Sequence, residues 1–170
     1  MITEEKNPQS LSYDPSDALL DSVNVRLLEE LQVDPRATMA ELGRRIGMSA
    51  PAVAERVRRM EETGVIRGRY LDIDPAALGL PVGVYIRIRP NPGRLGRVAE
   101  LARSIAEVVE CHRITGEDCF ILKAYIPAMD QLDRILDQFL LYGMTTTSII
   151  QSSPVPPRPL PLPRIRPDPT

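Results

Sequence analysis

Cysteine is scarce in this 170-residue chain: Cys111 and Cys119 are its only two, too few for a disulfide framework. Reduced thiols and a cytoplasmic location are therefore the expectation. Histidine is scarcer still, with His112 alone. Two cysteines and one histidine fall one ligand short of a closed zinc site, and Cys111 and His112, as neighbours on a strand, point to opposite faces. No metal is expected, and His112 reads as a packed or interface residue. A lone histidine leaves no base-plus-nucleophile constellation, and no glycine-rich phosphate loop is present. No residue is assigned a catalytic role, and an enzyme is not expected. No apolar run approaches the roughly 18 residues of a membrane helix. The opening MITEEKNPQSLSYDPSD has no basic region ahead of an apolar core, so no secretory signal is expected. Net charge is almost lacking too, at −2. Any polyanion site must come from local charge placement.

What is present is a soluble composition, 43% hydrophobic and 26% charged, in a length that suits one ordinary domain or two small ones. Residues 1–15 are polar and carry Pro8 and Pro15, and are expected to lack fixed structure. Over 16–74 the pattern is helical at first. Leu20, Val23, Leu27, Leu28 and Leu31 place one apolar stripe on a helix, which Asp34-Pro35 ends. Thr38-x-x-Glu41 has the form of a capping box, Leu42 and Ile46 supply a short apolar face, and Gly47 suits a stop. Ser49 can cap a third helix with Pro51 in its first turn. That helix turns Val53, Val57 and Met60 inward and stops at Gly64. In VIRGRYLDID, the residues Ile66, Tyr70, Leu71 and Ile73 around Gly68 fit a short two-stranded ribbon. Helix, helix, tight turn, helix and ribbon make a winged helix-turn-helix.

Residues 75–81 read as a linker with a turn of helix, and 82–152 as a second domain. Val82, Val84, Ile86 and Ile88 alternate with Tyr85, Arg87 and Arg89, as in a strand with one covered face. Leu95, Val98, Ala99, Ala102 and Ile105 then give a helical stripe. VVECHRIT and CFILKAYI read as two strands joined at GED, residues 116–118. Leu132, Ile135, Leu136, Phe139 and Leu140 give a second helix, and MTTTSIIQ a last strand. The order βαββαβ predicts a ferredoxin-like domain, and the whole chain an α+β protein. The outward Tyr85, Arg87 and Arg89 offer a surface for sheet-to-sheet pairing. From Pro154 to the end, eight of 17 residues are proline, so 153–170 predicts an extended tail outside any core. Its PxxP spacing suits an SH3-like groove, although most such tails are linkers.

Between Arg36 and Arg69 stand eight arginines against Glu41, Glu55, Glu61 and Glu62, a local excess of +4. At about 100° per residue the third helix turns Pro51, Ala52, Glu55, Arg58, Arg59 and Glu62 outward, with Arg56 on the flank. Its small first turn, Ser49 to Ala52, lets the helix end approach a duplex, where free N–H groups favour phosphate. Arginine beside it can reach phosphate or clasp guanine. Arg36, Ser49, Ala50, Pro51, Ala52, Glu55, Arg56 and Arg59 are the candidate contacts to double-stranded DNA. A mixed Arg/Glu helix face can also be merely solvated. In the competing class, the chain is a small-molecule-binding regulatory module whose first half docks protein.

The stretch LDSVNVRLLEELQVDPRATMAELGRRIGMSAPAVAERVRRMEETGVIRGRYLDIDPAALG resembles the N-terminal half of Lrp/AsnC transcription regulators. The matching elements are Leu20-Asp21, Glu41-Leu42, Gly47-Met48-Ser49, Glu55-Arg56-Val57-Arg58-Arg59, Gly64-Val65-Ile66 and Gly68. VVECHRITGEDCFILKAYI resembles the family's effector-domain signature, and the similarity spans roughly residues 17–151. Departures stand at Asn24, where an acidic residue is usual, at Pro35, where glycine is, and at Asp118 and Cys119, where an aromatic and then Asp are common. The resemblance implies a sequence-specific DNA-binding regulator whose dimers assemble to tetramers or octamers. It implies no cofactor, but an amino-acid effector bound between dimers near the ITGED turn and a neighbouring subunit's edge. Backbone N–H groups of that turn could hold a carboxylate, and Glu117 or Asp118 an ammonium group. The candidate effector contacts are Ile114, Thr115, Gly116, Glu117, Asp118, Cys119 and Thr147. An ordinary exposed hairpin turn is the alternative there.

Overall fold

Two hydrophobic cores with no residue in common divide the protein. The computed structural model describes residues 20–163. They form two compact units, one reaching to Tyr70 and including the chain from Pro157 onward, the other Leu71–Pro156. The expectations for residues 1–15 and for the last seven residues of the tail lie outside the described residues.

In the first unit, α1 is Ser22–Val33, α2 Met39–Ile46 and α3 Ala50–Glu62. Apolar side chains at spacings of three and four let each helix bury one stripe. Leu27 and Leu31 of α1 meet Leu42 of α2 and Val53, Val57 and Met60 of α3. The helix starts are fixed locally. Asp21 accepts the Asn24 N–H at 2.7 Å. The Thr38 N–H donates to the Glu41 carboxylate at 2.8 Å, and the Glu41 N–H to the Thr38 hydroxyl at 3.2 Å. These two bonds satisfy amides that a helix start leaves free, and the Thr38 N–H and hydroxyl, both donating to the Glu41 carboxylate, hold that carboxyl below its usual range. Gly47 closes α2 in the left-handed conformation, φ 76°. Gly43 is the less obvious requirement. A Cβ there would stand 2.4 Å from the Met48 carbonyl oxygen, so the turn into α3 closes only against glycine.

The expected ribbon does not form. From Gly64 to Asp74 there is no strand. Ile66 packs on the first core, whereas Tyr70, Leu71 and Ile73 are 87%, 73% and 51% exposed. Their spacing suits a strand, but they belong to neither core, and an isolated two-stranded ribbon is marginal. The unit is a helix-turn-helix without the β-wing. The tail residues Pro157–Pro163 carry no regular element, and the Gln32 side-chain amide of α1 donates to the Leu160 carbonyl at 3.0 Å.

The second unit opens with a short 3-10 turn, Pro75–Leu78, capped by Asp74. Then follow β1 Val82–Pro90, α4 Leu95–Ser104, β2 Val108–Arg113, β3 Phe120–Ile126, α5 Asp130–Leu140 and β4 Gly143–Ile149. The strands lie in the order β2-β3-β1-β4, with antiparallel neighbours throughout. This is the ferredoxin-like βαββαβ arrangement. Val98 and Ala102 of α4 and Leu132, Ile135 and Phe139 of α5 cover Val84, Ile86, Ile88, Leu122 and Ala124 of the sheet. Leu140, expected in the α5 stripe, ends the helix exposed. On the other face of the sheet Tyr85 stands opposite Lys123 and Arg87 opposite Ile121.

Candidate nucleic-acid interface and effector turn

The first turn of α3 is small and outward, as its residues require. The Ser49 hydroxyl accepts the Ala52 N–H at 3.4 Å, and Pro51 has no N–H to give. Of the expected cluster of free donors, the Ser49 and Ala50 amides are left without a hydrogen bond among the described residues. Farther along, Glu55 takes two bonds from Arg58, at 2.6 and 3.0 Å, and Arg58 also pairs with Glu62. Hydrogen bonding to Arg58 holds the Glu55 carboxyl low. This part of the outward face balances its own charge.

The eight arginines from Arg36 to Arg69 divide evenly. Arg45, Arg56, Arg58 and Arg69 are ion-paired. Arg36, Arg44, Arg59 and Arg67 have no ion pair among the described residues and are exposed. Arg59 is exposed, as its helical position predicts, and Arg36, Arg44 and Arg67 are exposed as well. In the sequence Arg44 and Arg67 showed only as part of the arginine excess.

Arg56 requires a correction. Its Nη1 donates to Asp21 at 2.7 Å and to the Asn24 side-chain oxygen at 3.0 Å, and the residue is half-buried. With its Nη1 held this way, the guanidinium is directed to α1. Helical periodicity places Arg56 on the flank of α3, but a partner 35 residues earlier is invisible to it.

At the other candidate site, the Ile114 N–H donates to the Cys119 carbonyl at 2.9 Å, and the Cys119 N–H to the Ile88 carbonyl at 3.0 Å. Gly116 has φ 115° and open space where a Cβ would stand. Its conformation, not crowding, is what calls for glycine. Thr115 and Glu117 are exposed, Ile114 and Asp118 half-buried. Glu117 pairs with Arg89, while Asp118 lies 3.7 Å from Arg87 and 3.9 Å from Arg89. The turn's acids are therefore already answered by the outward arginines of β1. Cys119 packs against the second core.

Thr147 departs from the expected cluster. It pairs with Ile86 across β1 and β4, on the helix-covered side, and β1 separates its strand from β3. At about 4.8 Å per strand spacing, one chain does not bring Thr147 to the turn. His112 is exposed, 3.5 Å from Glu110, so within one chain it is not packed. Cys111 shares the face of Leu122 and His112 that of Ile121. Among the described residues, no group of three or more potential ligands is placed to hold a metal, and no helix is long and apolar enough to cross a membrane.

Comparison with known proteins agrees with both halves. Residues 20–61 match the AsnC-type helix-turn-helix domain, and residues 83–160 the Lrp/AsnC ligand binding domain. The HTH-type transcriptional regulator LrpC of Bacillus subtilis is 32% identical over 133 residues, 78% of this chain and 92% of LrpC. The solved LrpC structure superposes with a TM-score of 0.74, covering 78% of this chain and 95% of that one. The feast or famine regulatory protein of Mycobacterium tuberculosis, solved in complex with L-methionine, gives 0.77 at 30% identity, over 83% of this chain and 98% of its own. With both domain types matched in order along one chain, this protein belongs to the Lrp/AsnC family of DNA-binding transcription regulators.

Proposed function

We propose that the protein reads duplex DNA with the first turn and Arg59 side of α3, and that an amino acid bound at the β2–β3 turn modulates this in a cytoplasmic homo-oligomer. The carrying observation is the set of exposed arginines, Arg36, Arg44, Arg59 and Arg67, that have no ion pair among the described residues of the helix-turn-helix unit. Such charge supplies the salt-dependent part of DNA affinity. Ser49, Ala50, Pro51, Ala52 and Glu55 complete the contact face. Selecting bound duplexes from random DNA with the purified protein tests the reading. Against the selected duplex, Arg59→Ala is expected to cost roughly 1–3 kcal/mol if it meets a base, or to flatten the salt slope by about one unit if it meets phosphate. Arg58→Ala, whose charge is balanced within α3, should move the slope less. Unchanged affinity and slope for Arg59→Ala sinks the assignment. Absence of any salt-sensitive duplex binding favours a protein-docking unit instead. In a two-fold dimer the selected sites should be imperfect palindromes with half-sites about one helical turn apart.

For the effector, an amino-acid zwitterion needs a cation and an anion in reach of each other. Arg87 and Arg89 beside Glu117 and Asp118 supply both. The regulator solved with L-methionine supports an amino acid as the class. Gly116→Ala, strained at its positive φ, or Asp118→Ala should change the effector response or the assembly state. Sedimentation and DNA binding across an amino-acid panel decide this. Variants that respond as wild type does reduce the turn to a plain hairpin.

A further inference from the structure

We infer that Asp21, Asn24 and Arg56 form a clasp that sets the roll of α3 against α1, which makes Arg56 a positioning residue for DNA recognition. The inference rests on the DNA-binding reading above. One carboxylate does two jobs here: the Asp21 Oδ1 caps α1 through the Asn24 N–H at 2.7 Å, while its Oδ2 takes the Arg56 Nη1 at 2.7 Å. The same Nη1 reaches the Asn24 Oδ1 at 3.0 Å. Asn24, 6% exposed, is the buried polar residue among the described ones, and such a side chain is kept inside by bonds of this kind. Beside the clasp, α1 and α3 share an apolar core with α2 through residues such as Leu27, Leu42, Val57 and Met60. Packing of Val53, Val57 and Met60 into this core sets which face of α3 is buried, but apolar contacts are individually weak and tolerant of small rotations. The clasp adds the directional bond. On a helix of about 5–6 Å outer radius, a roll of about 20° carries the surface roughly 2 Å, more than a hydrogen bond to a base edge tolerates.

The test uses the full chain with Asp21→Asn, Arg56→Gln, their double variant and Arg56→Lys. In equilibrium unfolding, the double variant should lose less than the sum of the two single losses. Additive losses overturn the clasp whether or not DNA is bound. In binding, each variant meets a duplex selected from random sequence by the wild type and an unrelated duplex, over a salt series. Both single variants should lose on the order of tenfold in preference for the selected duplex, the size of one base contact put out of register, with the salt slope retained. Arg56→Lys should keep most of the preference, because one ammonium can donate to both acceptors, and it carries the test where Arg56→Gln does not fold. If Arg56→Gln instead flattens the slope by about one unit while Asp21→Asn binds as tightly as wild type or tighter, Arg56 contacts phosphate and the inference falls. A wild type without any duplex preference refutes the DNA reading, and the unfolding cycle still decides the clasp.

Discussion

Asp21 shows how one side chain ties local structure to pH. Burial pushes its carboxyl pKa up, but the Asn24 N–H, the Arg56 guanidinium and the Val23 N–H together outweigh burial and hold it below the usual value. A depressed carboxyl stabilises the fold fully above its unfolded pKa of about 3.9, and the contribution is lost as pH falls through the lower folded value. The stability gap between wild type and Asp21→Asn should therefore be constant above about pH 5 and close towards pH 2. A gap independent of pH would count against the ion pair. Gly43→Ala tests a contact of the other kind. Its Cβ would meet backbone, the Met48 carbonyl, which cannot swing aside as a side chain can. A loss of roughly 1–3 kcal/mol in denaturant unfolding is expected. The Thr38–Glu41 box and the Ser49 cap were legible in the sequence because their partners lie three residues apart. The Arg56 partner and the Gly43 contact were not, because only the folded chain brings those atoms together.

Elements were legible where a repeat matched its surroundings. Alternation through Val84, Tyr85, Ile86, Arg87 and Ile88 separates the two faces of β1, and the stripes of α1 to α5 place the buried positions. Period alone failed at Tyr70, Leu71 and Ile73, since a strand needs a partner as well as a pattern. It also over-reached at the end of α5, where Phe139 is fully buried and its neighbour Leu140 is 55% exposed. That contrast gives a paired prediction. Phe139→Ala should cost about 3–5 kcal/mol by leaving a cavity under the sheet, and Leu140→Ala within about 0.5 kcal/mol of nothing. Urea unfolding with an unchanged slope reads both. Equal losses would mean that Leu140 is covered in solution. The candidate effector turn sits between these cases. Its place between β2 and β3 followed from the alternation and from GED, while the pairing of Glu117 and Asp118 with Arg87 and Arg89 depended on strand register, which residue order does not reveal.

At the scale of the whole chain, a charge of −2 hides a region carrying +4, and the boundary between the units follows the boundary between the cores. Each unit buries its own apolar residues, so the connecting backbone has little to hold it. Among the described residues, no backbone N–H from Arg67 to Ile73 donates to another backbone carbonyl, all seven residues are exposed, and Arg69 has an exposed pair with Glu61 at 3.3 Å. Proteases act where backbone is exposed and unpaired. Brief trypsin treatment should therefore cut after Arg67 or Arg69 before any other basic residue in the described part of the chain. Arg45 and Arg58 lie within helices, and Arg87 and Arg89 within the central strand β1. The fragment beginning at Gly68 or Tyr70 retains every residue of the second core, so it should remain folded, with a strand-rich circular dichroism spectrum and one cooperative melt. It should also lose salt-sensitive duplex binding, because α3 and Arg36, Arg44, Arg59 and Arg67 leave with the other piece. Mass spectrometry of the first products reads the site. A first cut inside α3 or β1, or a fragment that melts without a transition, would show that the two units depend on each other for stability.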